Sequence, residues 1–119
     1  MIRTCSKYGV DVNGREQGVW VDGNTKIGFI GLKSADKITS HGIGLNVQLD
    51  KSWFDSIVTC GLHGKKVSSI CDHMCPNSKK IPKCAEVSQD LIQNICGLLE
   101  LKAVNSTELS NEHEFDKKF

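Results

Sequence analysis

Apolar and polar positions alternate most regularly in the first half of the chain. In "GVWVDGNTKIGFIGLK", residues 18–33, two apolar runs flank Asp22-Gly23-Asn24, which predicts a β-hairpin turning at those three residues. In "ITSHGIGLNVQL", residues 38–49, strand geometry puts Thr39, His41, Ile43, Leu45, Val47 and Leu49 on one face. Ile38, Ser40, Gly42, Gly44, Asn46 and Gln48 take the other. Gly42 and Gly44 leave that second face bare, so another backbone or a ligand chain can lie close: a candidate pocket floor. Asp50 or Ser52 is placed to cap a short helix through "WFDSIV", which delivers the chain to "TCGLHG". After Val67 the character changes, and "CDHMCPNSKKIPKC", with Pro76 and Pro82, predicts a solvent-exposed, turn-rich loop. Leu91, Ile92, Ile95, Leu98 and Leu99 then recur at helical spacing and predict one C-terminal helix with a single apolar stripe. Residues 105–119, "NSTELSNEHEFDKKF", hold too few apolar groups to offset the entropy of ordering. They are predicted as a mobile tail after a folded domain spanning 1–104.

A length of 119 residues allows one domain with little spare core. The net charge of +1 is spread along the chain, so no basic field argues for nucleic acid or an anionic membrane surface. No run approaches the ~20 apolar residues that a transmembrane helix needs. The opening "MIRTCSKYGVDV" has neither a signal-peptide core nor the Arg-rich, acid-free character of a transit peptide, which predicts a soluble chain without a targeting segment. Cys5, Cys60, Cys71, Cys75, Cys84 and Cys96 follow no regular spacing and read as reduced thiols rather than a disulfide framework. Asn105-Ser106-Thr107 matches a glycosylation sequon, which matters only in a secreted chain and is discounted.

The chemistry gathers around Cys60, set between a short apolar run and Gly61. A cysteine there is either a small buried apolar group or a nucleophile, and the second role requires a nearby cation, because an unperturbed thiol of pKa near ~8.5 is only a few per cent ionised at neutral pH. His63 shares the glycine turn, and His41 falls on the apolar face of its strand. Lys26 opens a strand and, by period two, shares a face with Gly28, Ile30 and Leu32, where it either snorkels to water or has a partner. Cys71, His73, Cys75 and Cys84 place four soft ligands in fourteen residues, but without the paired C-x2-C knuckles of a zinc site. No metal is assigned.

Read as a block, residues 18–70 resemble the lipoyl(octanoyl) transferases, the LipB-type octanoyltransferases of lipoate synthesis, closest to the eukaryotic mitochondrial members. The resemblance rests on Gly18-Val19-Trp20, Lys26-Ile27 followed by Ile30-Gly31, His41-Gly42 followed by Leu45-Asn46, Phe54, and Cys60-Gly61. "IRTCSKYGVDVNGREQ" also resembles the family's helix and lead-in, so the likeness covers about residues 2 to 70. It implies an α/β (α+β) fold like the biotin and lipoate protein ligases, a mixed sheet with flanking helices. It makes Cys60 the acyl-thioester nucleophile and Lys26 the cation that lowers its pKa, with substrate contacts at Phe29, Ile30, Gly31, Gly42, Ile43 and Gly44. Gly44 stands where the family usually has alanine. The implied reaction moves octanoyl from octanoyl-acyl carrier protein, through the cysteine, to a lysine of lipoyl domains. The implied acceptors are the 2-oxoacid dehydrogenase complexes and the glycine cleavage H protein. No cofactor is implied; the enzyme is expected to be a mitochondrial monomer. Members of the family are about twice as long and carry an RGG-x-x-T-x-H-G signature in their N-terminal half. No such string occurs in these 119 residues, so the chain is expected to carry the C-terminal half and to be impaired as a transferase by itself. The alternatives are a non-catalytic fold remnant that binds lipoyl domains and a small zinc-binding module.

Overall fold

The computed structural model describes residues 1–54, 61, 63–76 and 81–105, the side chains of His41 and Trp53 aside. Helix α1 (Ile2–Lys7) precedes four strands, β1 (Asn13–Arg15), β2 (Gly18–Trp20), β3 (Thr25–Ala35) and β4 (Ile38–Leu45). A 3-10 turn (Lys51–Phe54), β5 (Lys66–Val67), α2 (Ile70–His73) and α3 (Cys84–Leu99) complete the mixed α/β fold. The strands form one sheet in which β1, β2, β3 and β4 follow one another antiparallel, while β5 lies parallel to the start of β3.

The hairpin expected around Asp22-Gly23-Asn24 joins β2 to β3. Its turn is held by the Asp22 carboxylate, which accepts the N–H groups of Asn24 and Thr25, each at 2.6 Å, and the Thr25 hydroxyl at 3.1 Å. These bonds, the one from Asn24 first, keep that carboxyl below its usual range against the opposing effect of burial. A second hairpin turns at Asp36-Lys37, both in the left-handed region (φ 51° and 65°), as a two-residue turn matched to strand twist requires. Asp50 caps the 3-10 turn by accepting the N–H of Ser52 at 3.1 Å and its hydroxyl at 2.7 Å. The rest of the helix expected through "WFDSIV" lies outside the described residues, as do 77–80 and 106–119.

One face of the sheet carries the core. Cys5, Val10, Val12, Val19, Ile27, Val47, Ile70 and Val87 form one buried cluster, with Cys5 from α1 and Val87 from α3. The Tyr8 hydroxyl donates to Asp90 at 2.6 Å and links α1 to α3; burial, then the Asp90 carboxylate, pushes the phenol up to about 12.

The start of the segment after Val67 departs from the exposed loop that its prolines predict, whereas Cys75 and Ile81 further on are exposed and outside any helix or strand. Ser69 precedes α2, and the Asp72 carboxylate accepts the Ser69 N–H (3.0 Å) and the hydroxyls of Ser69 and Ser68 (2.8 Å each), so a capped helical turn replaces loop. Ile70 is fully buried, and Cys71 and Met74 pack against the cluster. A strong local cap and one large apolar residue outweigh the turn-rich composition. Helix α3 is where its periodicity puts it, but its stripe is only partly covered: Ile92, Leu98 and Leu99 are 47%, 55% and 62% exposed. Among the described residues, no helix is long and apolar enough to cross a membrane.

Candidate active site

Lys26 is 2% exposed, so it does not snorkel to water. Nor does it share a face with Gly28, Ile30 and Leu32 as strict alternation predicts. Val19 pairs with Gly28 and Trp20 with Lys26, so one step along β2 matches two along β3 and Ile27 is left without an opposite number. This β-bulge turns Lys26 to the other side of the sheet. A Cβ added to Gly28 would meet Val19, Met1 and Leu45 on the core face, whereas one added to Gly18 would meet the Lys26 Cε at 2.6 Å on the opposite face. There the ammonium sits 5.2 Å from the Trp20 ring centroid and 4.9 Å from that of Phe29. Its hydrogen bond goes to the carbonyl of Glu16, at 3.3 Å, in the two-residue turn between β1 and β2. Among the described residues no carboxylate pairs with it.

The six expected substrate contacts come together as three consecutive cross-strand pairs, Phe29 with Gly44, Ile30 with Ile43 and Gly31 with Gly42. Alternation puts Phe29, Gly31, Gly42 and Gly44 on the Lys26 side and Ile30 and Ile43 on the other. Among the described residues, a Cβ built on Gly42 or Gly44 would meet nothing within 4 Å, and one on Gly31 would come only within 3.9 Å of the Gly42 carbonyl. The bare strip read from the sequence is therefore present, walled at one end by Phe29 and the Lys26 ammonium. Ile30, 39% exposed, instead lines a groove of about 460 Å³ with Val19, Ile95 and Leu98 on the helix side.

Cys60 and residues 55–59 lie outside the described residues. The chain leaving Cys60 does have a fixed destination. Gly61 and Gly64 both have left-handed backbone (φ 68° and 74°), which glycine adopts without steric cost. The chain then enters β5, where Lys66 pairs with Thr25 and Val67 with Lys26. The Lys66 N–H donates to the Asn24 carbonyl at 2.8 Å and the Ser68 N–H to that of Lys26 at 3.0 Å. Lys65 closes the connection, its ammonium donating to the Gly23 carbonyl (2.8 Å) and to Asn24 Oδ1 (2.9 Å). His63, exposed in the turn, is the other candidate cation that can be placed, and the His41 side chain lies outside the description.

Cys5, Cys71, Cys75, Cys84 and Cys96 are free thiols; burial raises those of Cys5 and Cys71, the latter with a further contribution from Asp72. The His73 ring bonds the Ser68 hydroxyl at 2.9 Å, and among the described residues no three His, Cys, Asp or Glu side chains gather as metal ligands. Sequence reasoning missed Trp20, the Glu16 carbonyl and β5. Trp20 reads as one more apolar strand residue; the bulge that turns Lys26 toward it leaves no mark in the pattern.

Residues 1–95 match the family model of the lipoyl protein ligase A/B catalytic domain. The chain is 42% identical over 90 residues to the mitochondrial octanoyl-acyl-carrier-protein:protein N-octanoyltransferase of Danio rerio, covering 72% of this chain and 40% of that protein. It is 40% identical over 111 residues to an octanoyltransferase of Chloroflexus aggregans (89% of this chain, 48% of the relative), and 42% identical over 87 residues to a mitochondrial octanoyltransferase of Arabidopsis thaliana (68% and 37%). The chain thus spans less than half the length of these relatives. With a family match running from α1 into α3, this chain belongs to the lipoyl protein ligase A/B catalytic domain family.

Proposed function

We propose that this chain carries the reacting groups of an octanoyltransferase of lipoate synthesis, with Cys60 as nucleophile and Lys26 as the cation beside it. The observation that carries this reading is the buried Lys26 ammonium, which no carboxylate among the described residues pairs with, at the head of a glycine-floored strip. Support for its neighbour comes from β5, which ties the chain six residues beyond Cys60 to the strand that bears Lys26.

In the first half-reaction the Cys60 thiolate attacks the carbonyl carbon of octanoyl-acyl carrier protein. A new S–C bond forms, the carrier's S–C bond breaks, and the carrier thiolate leaves and takes a proton. In the second, a lysine amine of a lipoyl domain attacks the Cys60 thioester, an amide N–C bond forms with loss of the amine proton, and the Cys60 thiolate is regenerated. The Lys26 ammonium favours the thiolate in both steps and faces the negative charge that develops on the carbonyl oxygen. The acyl chain lies along Gly31, Gly42 and Gly44 against Phe29; Ile30 and Ile43 back that strip from the other side of the sheet. The reaction needs neither metal nor nucleotide. The acceptors are lipoyl domains of the 2-oxoacid dehydrogenase complexes and the glycine cleavage H protein, the compartment is the mitochondrion named for two of the relatives, and the enzyme acts as a monomer.

The test supplies octanoyl-acyl carrier protein and a lipoyl domain to the chain mixed with the N-terminal half of an octanoyltransferase relative. Octanoylated domain should accumulate with the wild-type chain and be lost with Cys60→Ala. Equal product from both would overturn the reading.

A further inference from the structure

The Lys26 ammonium raises a problem that the proposed chemistry does not answer: what holds a buried cation in place when no carboxylate among the described residues pairs with it. A cation withdrawn from water is costly unless something replaces its hydration. The replacements are specific: the Glu16 carbonyl at 3.3 Å, the Trp20 ring at 5.2 Å and the Phe29 ring at 4.9 Å. Both rings lie within the ~6 Å over which an aromatic face attracts an ammonium. Trp20 is itself fixed, 1% exposed, with its indole N–H donated to the Arg15 carbonyl at 3.3 Å. Residues 26 and 29 of a regular strand point to opposite faces, so Lys26 and Phe29 meet only because β3 bulges at Ile27.

We propose that Trp20 and Phe29 are positioning residues that clamp the Lys26 ammonium between two aromatic faces, with the bulge at Ile27 delivering the lysine into the clamp. This rests on the reading of Lys26 as the partner of Cys60. A carboxylate in the same place would hold the ammonium as firmly but would cancel the positive charge that the thiolate needs. Aromatic faces hold it and leave its charge unspent. A Cβ at Gly18 would lie 2.0 Å from the Gly28 carbonyl oxygen and 2.6 Å from the Lys26 Cε, so that position stays bare beside the lysine stem. Lys65, whose ammonium stands 5.8 Å from the Trp20 ring, is tied instead to Gly23 and Asn24 at the hairpin turn and does not enter the clamp.

The experiment follows the Lys26 ε-methylene resonance by NMR in the full 119-residue chain and, in the same samples, the pH midpoint of Cys60 alkylation. In the wild type the ε-methylene signal should be displaced upfield by the two rings. Phe29→Leu should move it part of the way to the position of a solvated lysine and raise the alkylation midpoint by less than Lys26→Met does. Trp20→Leu should do the same, and Trp20→Phe should restore both. Because Trp20 is buried and its leucine variant can fail to fold, Phe29, which is only partly buried, carries the decision. A wild-type Lys26 signal at the solvated position, or one unmoved by Phe29→Leu, overturns the clamp. If the signal moves as expected but Lys26→Met leaves the alkylation midpoint unchanged, the clamp stands as geometry and the role of Lys26 beside Cys60 falls.

Discussion

Lys26→Met keeps the length and apolar stem of the side chain while removing its charge, so it separates electrostatics from packing. If the ammonium stands beside Cys60, the substitution should raise the pH midpoint of Cys60 alkylation by about 1 to 3 units, the range for an opposite charge at close range. Lys26→Ala should do likewise, though it also empties a buried site and lowers stability. An unchanged midpoint in both variants would refute the electrostatic role. Composition and spacing singled out both residues, and the family resemblance paired them. Alternation, however, put Lys26 on the wrong face. The residue that corrects it, Ile27, looks like any other strand isoleucine, because a bulge is fixed by the register of two strands and not by either alone.

At the scale of the element, the glycines of the sheet divide into two kinds that the sequence cannot tell apart. Gly42 and Gly44 have no neighbour among the described residues within 4 Å of a Cβ, and Gly18 and Gly28 are enclosed: a Cβ would lie 2.0 Å from the Gly28 carbonyl oxygen at Gly18 and 2.5 Å from Val19 at Gly28. Gly44→Val should therefore leave the free energy of unfolding within about 0.5 kcal/mol of wild type while blocking acylation. Gly28→Val should destabilise the fold by about 1 to 3 kcal/mol through overpacking. Equal stability of the two variants in urea would contradict the assignment of faces. Helix α2 gives a pH-dependent counterpart. Burial works against ionisation of Asp72, but the hydroxyls of Ser69 and Ser68, the Lys51 ammonium and the Ser69 N–H outweigh it and hold the carboxyl well below its usual range. A folded-state pKa below the unfolded value of about 3.9 stabilises the fold above that value, and the contribution is lost as pH falls toward the folded pKa. Asp72→Asn should cost about 0.5 to 2 kcal/mol near neutrality, as loss of a helix cap does. It should also reduce the stability difference between neutral pH and about pH 3, which urea titrations at both would measure.

Across the described residues, one small core ties the sheet that bears Lys26 to α1 and α3. Ile70, fully buried in the cluster that joins α1, the sheet and α3, should on substitution by alanine lower global stability by about 2 to 5 kcal/mol in a single transition, read by circular dichroism and tryptophan fluorescence together. Much of this architecture was legible in advance. The Asp22-Gly23-Asn24 hairpin, the period-two strand through Gly42 and Gly44 and the helix around Leu91 and Ile95 all follow from local rules. Helix α2 was not, because its cap depends on Asp72 reaching back to Ser68 and Ser69 within a segment whose prolines speak for loop. Strand β5 was hidden as well: two residues leave no periodic trace, and only their pairing with Thr25 and Lys26 makes them a strand. The role proposed for Cys60 is that of acyl acceptor. Its most direct measurement is the mass of the chain after incubation with octanoyl-acyl carrier protein together with the N-terminal half of a relative. The account predicts one octanoyl group on Cys60, released by neutral hydroxylamine and absent from Cys60→Ala; an adduct of equal yield in Cys60→Ala, or no adduct on the wild-type chain, would contradict it.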